Sequence, residues 1–597
     1  MAQQPFIFEL NVNFSVTLQL PFIDVFPFDC VVDWGDGSQD TITAYNDPAS
    51  AHPYSPGAYT VTITGYCGGW SVNNGAIKNY LTDIVQFGTQ TYFNNGNAFR
   101  GCSLLTNITA TDYPGFGGYA DRLNSGFFRD CPNLVFDLSG CYMGAQSVFE
   151  NMLSGDVNPS QDWDFSFASW FNLNGLRFNI DITPWKEHFL SAVPSGNWVR
   201  IGGFKGNDLF NCGDAAGVSG TKFRWFNITN PTEKRLSNFF QNCSAFNQDI
   251  NTNIQNAGQP DEYVAWDVSE ITQMGFLFQG ASSFNQNIGD WDVSSVGNMS
   301  YMFNGATAFN NGGVGGEGVG MDTWDVSSVS AFQYTFWDAD SFNQYIGSWV
   351  LRPAGVSCEA MFFNNNGFNQ DIGNWTNTSS ITNIAYMFAG ATAFNNGGFG
   401  GVGQGLDKWD VSNKTSFIQL FSGATSFNQY LGSWNVSSVT NMSQVFQNAT
   451  AYNQDLDGWE RTTPDVSTLA NVTSMQQMFQ NDSVFNGNVS NWNVSSCENF
   501  SSMFLNCTAF DQNLGAWTLA SATNCNSMFY FSGISDANLE ATLYGWSLNP
   551  STATGVSATN LALKTYAAGS DMDLALNDPT NGLVAAKGWN ITGITIV

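Results

Sequence analysis

The sequence predicts a mainly β protein with short helices, in which a small N-terminal β-sandwich precedes a solenoid of roughly 25-residue turns. The main observation is a series of tryptophans separated by 25, 26, 33 or 34 residues: Trp266, Trp291, Trp324, Trp349, Trp375, Trp409, Trp434, Trp459, Trp492 and Trp517. A fixed period in this range is typical of stacked repeats. The chain also has 51 Phe and 20 Trp but only 11 % charged residues, so a large ring area must be buried.

The first 66 residues carry the alternating apolar and polar pattern of half-buried strands. This pattern runs through residues 6–12 and again through residues 14–20. Residues 30–38 indicate a strand that enters an Asp-Gly turn, and residues 54–64 indicate a turn followed by another strand. Together these segments predict a β-sandwich over residues 1–66.

This N-terminal segment contains Val-Asp-Trp-Gly-Asp-Gly-Ser at residues 32–38 and His-Pro-Tyr-Ser-Pro-Gly-Ala-Tyr-Thr-Val-Thr at residues 52–62. Both motifs and their order resemble the PKD-type immunoglobulin-like domain, which implies a spacer or binding module without catalysis. Asp33 and Asp36, on either side of Trp34, are candidate ligands of a weak calcium site. A tight turn held by Asx hydrogen bonds is the alternative that we favour.

Residues 236–535 form a regular array, and residues 284–303 show one repeat clearly. Phe284, Gln286 and Ile288 share one face at a period of two residues, as do Trp291 and Val293, which is the pattern of a strand. The next apolar positions share one face of a short helix: Val296, Met299, Met302 and Phe303. Each turn of the solenoid is therefore expected to contain a short strand, a bend and two turns of helix.

Two positions of the repeat have a predicted structural role. Asparagine follows a buried aromatic residue in successive repeats: Asn285, Asn310, Asn343, Asn369, Asn395, Asn428 and Asn453. We expect these side chains to bond backbone amides from layer to layer, and a solvent-facing row is the alternative. Cys243 and Cys507 stand where sister repeats have alanine, which predicts small buried thiols and leaves disulfides open.

Three further segments interrupt or flank the regular array. Glycine-rich insertions occupy the same place in two repeats, at residues 310–320 and 395–405, and are either ligand-facing tips or tolerated loop lengthening. Residues 67–235 share part of the repeat frame and are expected to form degenerate solenoid turns with insertions, with a separate globular domain as the alternative. Residues 536–597 lose the repeat and are expected to form a C-terminal cap with one helix and a final strand.

The repeat signature consists of Phe-Asn-Gln at residues 284–286, Trp-Asp-Val-Ser at 291–294, Asn-Met at 298–299 and Met-Phe at 302–303. It resembles the BspA-like leucine-rich-repeat surface proteins, which implies a leucine-rich-repeat-like solenoid. That family consists mostly of bacterial cell-surface proteins that bind matrix, host cells or other bacteria. A PKD-like head joined to such repeats also resembles structural genes of tailed phages. The chain shows no secretory signal or sorting motif, which favours the phage setting.

Composition and motifs favour binding over catalysis. The formal net charge of −31 should repel nucleic acid and anionic membranes, and no apolar stretch is long enough for a transmembrane helix. With only His52 and His188 available, a histidine-based triad or metal site is not expected. Paired carboxylates could cut glycosidic bonds, but several recur at equivalent positions and so favour a structural role: Asp162 with Asp164, Asp290 with Asp292, and Asp455 with Asp457.

We therefore expect no catalytic residue and no cofactor other than the candidate calcium ion. The expected function is that of a non-enzymatic structural or adhesion protein of a bacteriophage virion, placed on the capsid surface or tail. Its expected partners are a host receptor or glycan, or other virion proteins, and a homo-oligomer is possible. A bacterial cell-surface adhesin is the first alternative, and a glycan-cleaving tailspike is the second.

Overall fold

The computed structural model describes residues 4–24, 27–72, 75–88, 98–110, 210–212, 214–220, 234–255, 263–460 and 468–596. Short pieces are also described at residues 91–92, 131, 135–136, 163–165, 177–178, 199–201 and 257. The chain divides into two compact units, which comprise residues 1–271 with 277–286 and residues 272–276 with 287–597.

The N-terminal residues form a mainly antiparallel sheet domain. Its strands are β1 Phe6–Val12, β2 Val16–Gln19, β3 Phe22–Ile23, β4 Asp29–Asp33, β5 Gln39–Ile42, β6 Ala51–Tyr54, β7 Gly57–Trp70, β8 Leu81–Gln86, β9 Thr91–Tyr92 and β10 Asn107–Ile108. The main sheet has the order β10-β8-β1-β7-β4-β5, and β2 pairs separately with β6. Strand β1 fits this place because its side chains alternate between buried and more exposed along its length.

The main sheet continues past residue 66, the predicted end of the first domain. Strand β7 crosses that residue without a break and pairs with β1 on one side and β4 on the other. Strand β8 then pairs with β1, and β10 lies parallel to β8. Most of residues 67–235, including most of the predicted insertion at 156–169, lies outside the described residues, so the degenerate turns stay a prediction.

The remaining strands are short. They are β11 Val135–Phe136, β12 Trp163–Phe165, β13 Arg177–Phe178, β14 Val199–Ile201, β15 Asn253–Gln255, β16 Tyr263–Ala265, β17 Val356–Ser357, β18 Ile381–Asn383, β19 Ser557–Ala558, β20 Lys564–Tyr566, β21 Asn590–Ile591 and β22 Ile594–Ile596. The pairs β11–β13, β12–β14, β17–β18, β19–β21 and β20–β22 are parallel, whereas β15 and β16 are antiparallel.

Successive repeats of the second unit lie against one another as parallel layers. One position of each repeat forms an isolated parallel bridge to the next repeat, in the series Gln273, Asn298, Ala331, Ser357 and in the series Ser416, Asn441, Ser474, Asn499, Asn524, Ser557. The tryptophan period of the sequence therefore corresponds to one layer of chain.

The predicted strand and helix inside each repeat are wrong. Residues 284–293 contain no strand, and residues 300–305 form consecutive turns with a φ of +59° at Tyr301. Met299, Tyr301 and Phe303 donate their backbone N–H groups at 2.9 Å to carbonyls of the next layer. An α-helix cannot form here because these N–H groups are not available for bonds to the fourth preceding residue.

The α-helices of the described residues both lie near the C-terminus, as α1 Asp536–Leu548 and α2 Asp571–Asn577. The single-turn 3-10 segments are Pro48–Ser50, Ala76–Asn79, Asn311–Gly313, Gly320–Thr323, Thr378–Ser380, Asn396–Gly398, Gly405–Lys408 and Asp457–Trp459. The predicted C-terminal helix is therefore confirmed, and Ser535 caps it by accepting from the N–H of Asn538. Strands β21 and β22 confirm the predicted final strand.

Two columns of aromatic rings fill the core of the second unit. The first column has neighbouring ring centroids 5.5 to 5.8 Å apart and consists of Phe303, Phe336, Phe362, Phe388, Phe421, Phe446, Phe479, Phe504 and Phe529. Within a layer each ring from Phe303 to Phe504 also stacks on a ring of a second column, as Phe303 does on Phe309 at 4.0 Å. These rings are fully buried, so the Phe-rich composition is explained by one continuous apolar core.

The tryptophans form a third column that ties each layer to the one before it. Their indole N–H groups donate to a backbone carbonyl of the preceding layer at 2.7 to 3.3 Å, in a series that runs from Trp324 to Trp546. Tryptophan suits this position because it combines a large apolar ring with one donor, and a buried donor needs an acceptor.

The predicted asparagine ladder is confirmed. Asn343 Oδ1 accepts the backbone N–H of Asn369 at 2.9 Å, and Asn369 Oδ1 accepts that of Asn395 at 2.8 Å. The glutamine that follows joins the same ladder, since Gln370 donates from Nε2 to both the carbonyl and Oδ1 of Asn343. These side chains satisfy backbone groups at a bend where no strand pairing is available.

Glycine is required where the backbones of adjacent layers meet. We expect Gly373→Ala to lower the free energy of unfolding by about 1–3 kcal/mol. A Cβ at residue 373 would lie 2.5 Å from the Cα and carbonyl carbon of Gly405. Gly297→Ala is the matched control, because its Cβ would meet nothing closer than 3.8 Å. Urea unfolding measures both variants, and equal stabilities would contradict the close backbone packing.

The cysteines of the described residues are buried, as the sequence predicts for Cys243 and Cys507. Burial raises the pKa of Cys358 and Cys497 to about 12, so these thiols stay protonated at neutral pH. They act as small apolar side chains of the core.

Candidate binding surface

The two glycine-rich insertions at residues 310–320 and 395–405 fold in the same way, and we call them the paired glycine loops. Their positive φ angles recur at matching positions, such as +50° at both Asn311 and Asn396. Each loop also closes with an isolated antiparallel bridge across its tip. The same sequence pattern therefore produces one loop structure twice, three layers apart.

A buried asparagine anchors the start of each loop. Asn311 Oδ1 accepts the backbone N–H of Ile288 at 2.8 Å, and its Nδ2 donates to the carbonyl of Val314 at 2.6 Å. Asn396 makes the equivalent bonds in the second loop. Both side chains are fully buried, so each loop is fixed at its base.

A buried aspartate anchors the end of each loop. Asp322 accepts the N–H of Gly318 within the loop at 2.7 Å and the N–H of Ser348 in the next layer at 2.9 Å. Asp407 makes the same two contacts in the second loop, at 2.7 and 2.8 Å. Because each carboxylate joins the loop to the following layer, the insertions are ordered parts of the array.

The paired glycine loops present apolar side chains to solvent. Val314 and Val319 are 40 % and 48 % exposed in the first loop, and Phe399 and Val402 are 63 % and 74 % exposed in the second. Single exposed apolar residues are common, but here they cluster on ordered loops whose folding does not need them. This combination is typical of a contact surface.

The tips of the two loops differ although their frameworks match. Where the first loop has Val314, Glu317 and Val319, the second has Phe399, Val402 and Gln404. The shared glycines, asparagines and aspartates account for the common backbone. The differing tip side chains are therefore free to determine what each loop contacts.

The structure places the candidate calcium ligands in Asx turns. Asp33 accepts from Gly35 N–H at 3.0 Å and from Gln39 Nε2 at 2.9 Å, and chiefly the Gln39 bond lowers its pKa. Asp36 accepts from the N–H of Ser38 at 2.9 Å and from its hydroxyl at 2.6 Å. These Ser38 bonds are the main reason that the pKa of Asp36 falls to about 2. These bonds are those of a tight turn held by Asx hydrogen bonds, the alternative that we favour above. Calcium binding stays a prediction.

His52 completes this N-terminal turn. Its imidazole stacks on Trp34 with ring centroids 4.7 Å apart, and its Nε2 lies 2.9 Å from Asp36 Oδ2. The Trp34 indole N–H donates to Asp40 at 2.8 Å. The histidine that the sequence singled out therefore holds the turn together.

The paired carboxylates take structural roles where they are described. Asp292 accepts the N–H and hydroxyl of Ser294, and Asp455 accepts the N–H of Asn488 in the next layer. Asp457 lies in the first turn of a 3-10 segment. Asp162 lies outside the described residues, and Asp164 is described by its backbone alone.

Two buried ionisable residues depart from the repeat, and neither was predicted from the sequence. Lys414 stands at a position that is Val329 or Val439 in sister repeats, and it is 2 % exposed. Its Nζ donates to the carbonyl of Thr378 at 3.2 Å, and burial lowers its pKa to about 8. Asp482 stands at the small alanine position and is fully buried. Alignment of the repeats could have found both residues.

The described residues contain no group of three or more His, Cys, Asp or Glu side chains arranged to hold a metal ion. Within the same part of the chain, neither α-helix has the length and apolar character needed to cross a bilayer.

These layers and loops define a repeat protein with an N-terminal antiparallel sheet domain. The family described as Mycoplasma protein of unknown function, DUF285, matches residues 234–357, 316–399, 356–468 and 463–552. Because these matches span more than half of the 597 residues, the chain belongs to the DUF285 family. Neither a curated protein nor a solved structure matches the chain. The BspA-like and PKD-like resemblances stay predictions.

Proposed function

We propose that this chain is a non-enzymatic structural and adhesion protein displayed on a bacteriophage virion. The observation that carries the proposal is the pair of ordered glycine loops, which stand on a regular stack of layers and expose apolar tips. A bacterial cell-surface adhesin is the alternative location for the same activity.

The proposal includes a finer description of the fold. We assign the repeats to a leucine-rich-repeat-like solenoid, with Phe and Trp in place of leucine. Parallel bridges between equivalent positions and the three ring columns support this assignment. We assign the N-terminal sheet domain to the PKD-like sandwiches, which is supported by the packing of Trp34, His52 and Tyr54.

A contact role fits the chemistry of the paired glycine loops better than a catalytic one. Their buried carboxylates, Asp322 and Asp407, each use both oxygens to hold backbone N–H groups. Their exposed groups are apolar side chains, which gain free energy when a partner covers them. Glycine and asparagine are also common in the binding loops of antibodies.

We expect the double variant Phe399→Ser, Val402→Ser to bind intact host cells at least fivefold more weakly than the unaltered protein. Losing one apolar anchor at the centre of an interface costs about 1–2 kcal/mol or more. Flow cytometry of the fluorescently labelled full chain measures the binding. Val350→Ser is the matched control, since Val350 is 49 % exposed but lies outside both loops. Equal loss in both variants, or no loss in either, would exclude the loops as the contact.

Two measurements separate the proposed settings. Antibody detection on gradient-purified phage particles places the chain on the virion, whereas detection only on bacterial cells places it on the cell surface. Release of reducing sugar from host polysaccharide by the purified chain would overturn the non-enzymatic assignment.

A further inference from the structure

Ten successive layers of the second unit each present one residue with left-handed backbone at the same place in the turn. This first row consists of Phe276, Tyr301, Tyr334, Ala360, Tyr386, Gln419, Gln444, Gln477, Ser502 and Ser527, with φ between +50° and +63°. All of them except Ala360 are half-buried, so most of the row borders solvent. The side chains change along the row while the backbone stays the same, so the fold does not dictate them.

A second row of side chains lies three residues after the first. It consists of Asn304, Trp337, Phe363, Ala389, Ser422, Gln447, Gln480, Leu505 and Tyr530. The two rows touch, since the rings of Tyr334 and Trp337 have centroids 5.3 Å apart and Gln444 donates to Gln447 at 3.0 Å. We call the two rows, with the residue before the first and the residue after the second, the amide-aromatic face.

The first five layers of the amide-aromatic face carry aromatic rings in the first row, with Ala360 as the exception. Phe276 stacks on Tyr301 at 4.7 Å, and Tyr301 stacks on Tyr334 at 4.5 Å. Tyr386 follows one layer after Ala360. This half of the face therefore presents ring surfaces, which are apolar and carry partial negative charge.

The last five layers carry glutamine or serine in the first row and no ring. Gln419 donates from Nε2 to Oε1 of Gln444 at 2.6 Å, and Gln447 of the second row donates in the same way to Gln480 at 3.0 Å. Each Nε2 has two hydrogens, and these bonds use one of them. This half of the face therefore presents ordered amide groups with remaining capacity to donate.

Charge and size make the amide-aromatic face suitable for a protein contact. Across the ten described layers its charged side chains are Asp338 and Glu359, whereas the whole chain has a net charge of −31. Depletion of charge with enrichment of Tyr, Trp and Phe is typical of interface cores. Ten layers extend for about 45 Å, and a stretch such as residues 300–305 extends for up to about 18 Å. The resulting area of roughly 700–800 Å² is close to the share of one partner in a standard interface.

We infer that two copies of this chain associate through their amide-aromatic faces, with the layers of the two copies running in opposite directions. The two-fold axis lies in the plane of the face, across the stack, between the layers of Tyr386 and Gln419. The first row of one copy then lies over the first row of the other, in reverse order. Tyr386 meets Gln419 and Tyr334 meets Gln477, and each contact occurs twice, as two-fold symmetry requires.

A second copy is the partner that this face fits best. The ringed half and the amide half have five layers each, so reversal places every ringed layer opposite a layer that has amides or hydroxyls. Amide N–H groups bind favourably to the faces of aromatic rings. The layers of Asp338 and Glu359 lie opposite those of Gln477 and Gln444, which supply donors to both carboxylates. Elsewhere on the surface the acidic charge of two copies opposes their approach.

The test is sedimentation equilibrium of the full chain at micromolar concentration, where we expect twice the mass of one chain. Gln477→Glu should raise the dissociation constant at least tenfold, because a carboxylate would face the Tyr334 ring, Asp338 and Glu359 of the other copy. Gln477→Lys should keep or tighten the dimer, because an ammonium group is attracted by the same three groups. Gln404→Glu is the matched control, since Gln404 is exposed in the second glycine loop and lies outside the face.

The opposite effects expected of Gln477→Glu and Gln477→Lys guard against loss by misfolding. Near-ultraviolet circular dichroism reports the stacked aromatic core and checks that both variants are folded. A chain that stays monomeric would overturn the inference, whether or not a glycan or another protein binds the face. Equal weakening by glutamate and lysine at residue 477, or equal weakening by Gln404→Glu, would also overturn it. Cell binding by the glycine loops is measured separately, so the adhesion role stands or falls independently.

Discussion

Replacing Asp482 with asparagine is expected to raise the free energy of unfolding at pH 7 by about 3–4 kcal/mol. Asp482 is fully buried, and its carboxylate has no positively charged partner among the described residues; only the nearby backbone N–H groups of Val484 and Phe485 favour its ionised form. Burial raises its pKa from 3.8 to about 8, although the N–H groups of Val484 and Phe485 oppose that shift. The folded chain must therefore hold a proton that the unfolded chain releases.

The pH dependence follows from the direction of this pKa shift. Between pH 3.8 and about 8 the folded state binds more protons at Asp482 than the unfolded state does. Stability therefore falls as pH rises through this window, by about 1.4 kcal/mol for each unit. Asp482→Asn should remove this slope, because the amide does not titrate. Tyr452 and Cys507 also interact with this carboxyl, and their raised pKa values keep both neutral across the window.

A sister layer provides the matched control for Asp482. Asn365 occupies the same position, and its Oδ1 accepts the N–H groups of Gly367 at 3.1 Å and Phe368 at 3.0 Å. Asn365→Asp should therefore create the pH-dependent loss that Asp482→Asn removes. Urea unfolding at pH 5, 7 and 9 measures both. A stability of the Asp482 variant that changes with pH as steeply as that of the unaltered chain would contradict the buried carboxyl.

Removing one indole from the tryptophan column is expected to lower the free energy of unfolding by about 3–5 kcal/mol. Trp375 is 4 % exposed and stacks on Trp349 at 5.9 Å and on Trp409 at 5.6 Å. Its N–H donates to the carbonyl of Ile346 at 2.7 Å. Trp375→Ala therefore loses the ring contacts and leaves the Ile346 carbonyl with only the longer bond from the Trp349 N–H at 3.4 Å.

Trp375→Phe separates the two contributions. It keeps a ring in the column but cannot donate, so we expect it to lower the free energy of unfolding by about 1–3 kcal/mol, the cost of losing the shorter of two hydrogen bonds to a buried carbonyl. Chemical denaturation of the two variants beside the unaltered chain measures the difference. A Phe variant as unstable as the Ala variant would show that the hydrogen bond dominates, against the packing account.

The structural roles of the periodic residues were predicted correctly. One tryptophan period corresponds to one layer of chain, and the row of asparagines forms a ladder of bonds to backbone amides. Both follow directly because a repeated side chain in stacked layers meets its own copies. The glycine-rich insertions were located correctly, but their ordered backbone was not foreseen, since it depends on Asn311 and Asp322 bonding to neighbouring layers.

The local structure of each repeat was predicted wrongly. The spacing of Val296, Met299, Met302 and Phe303 matches a helix, yet the structure has no helix here, and Met302 and Phe303 lie in turns. Spacing reports which side chains face the core, and a turn that points the same residues inward gives the same pattern. Asp482 and Lys414 were missed for another reason. Both are departures from the repeat, and they are found by comparing layers with one another.

The sequence by itself determined that the chain is a repeat protein with an aromatic core, because a fixed period of large apolar rings can be buried only when neighbouring units stack. Only the tertiary structure decided how each unit is built. Every second backbone N–H of the turns bonds to the next layer, and the next layer is not local in the sequence. For the same reason, the structure alone brings the Tyr334 hydroxyl and the Glu359 carboxylate, from successive repeats, to within 3.1 Å of each other.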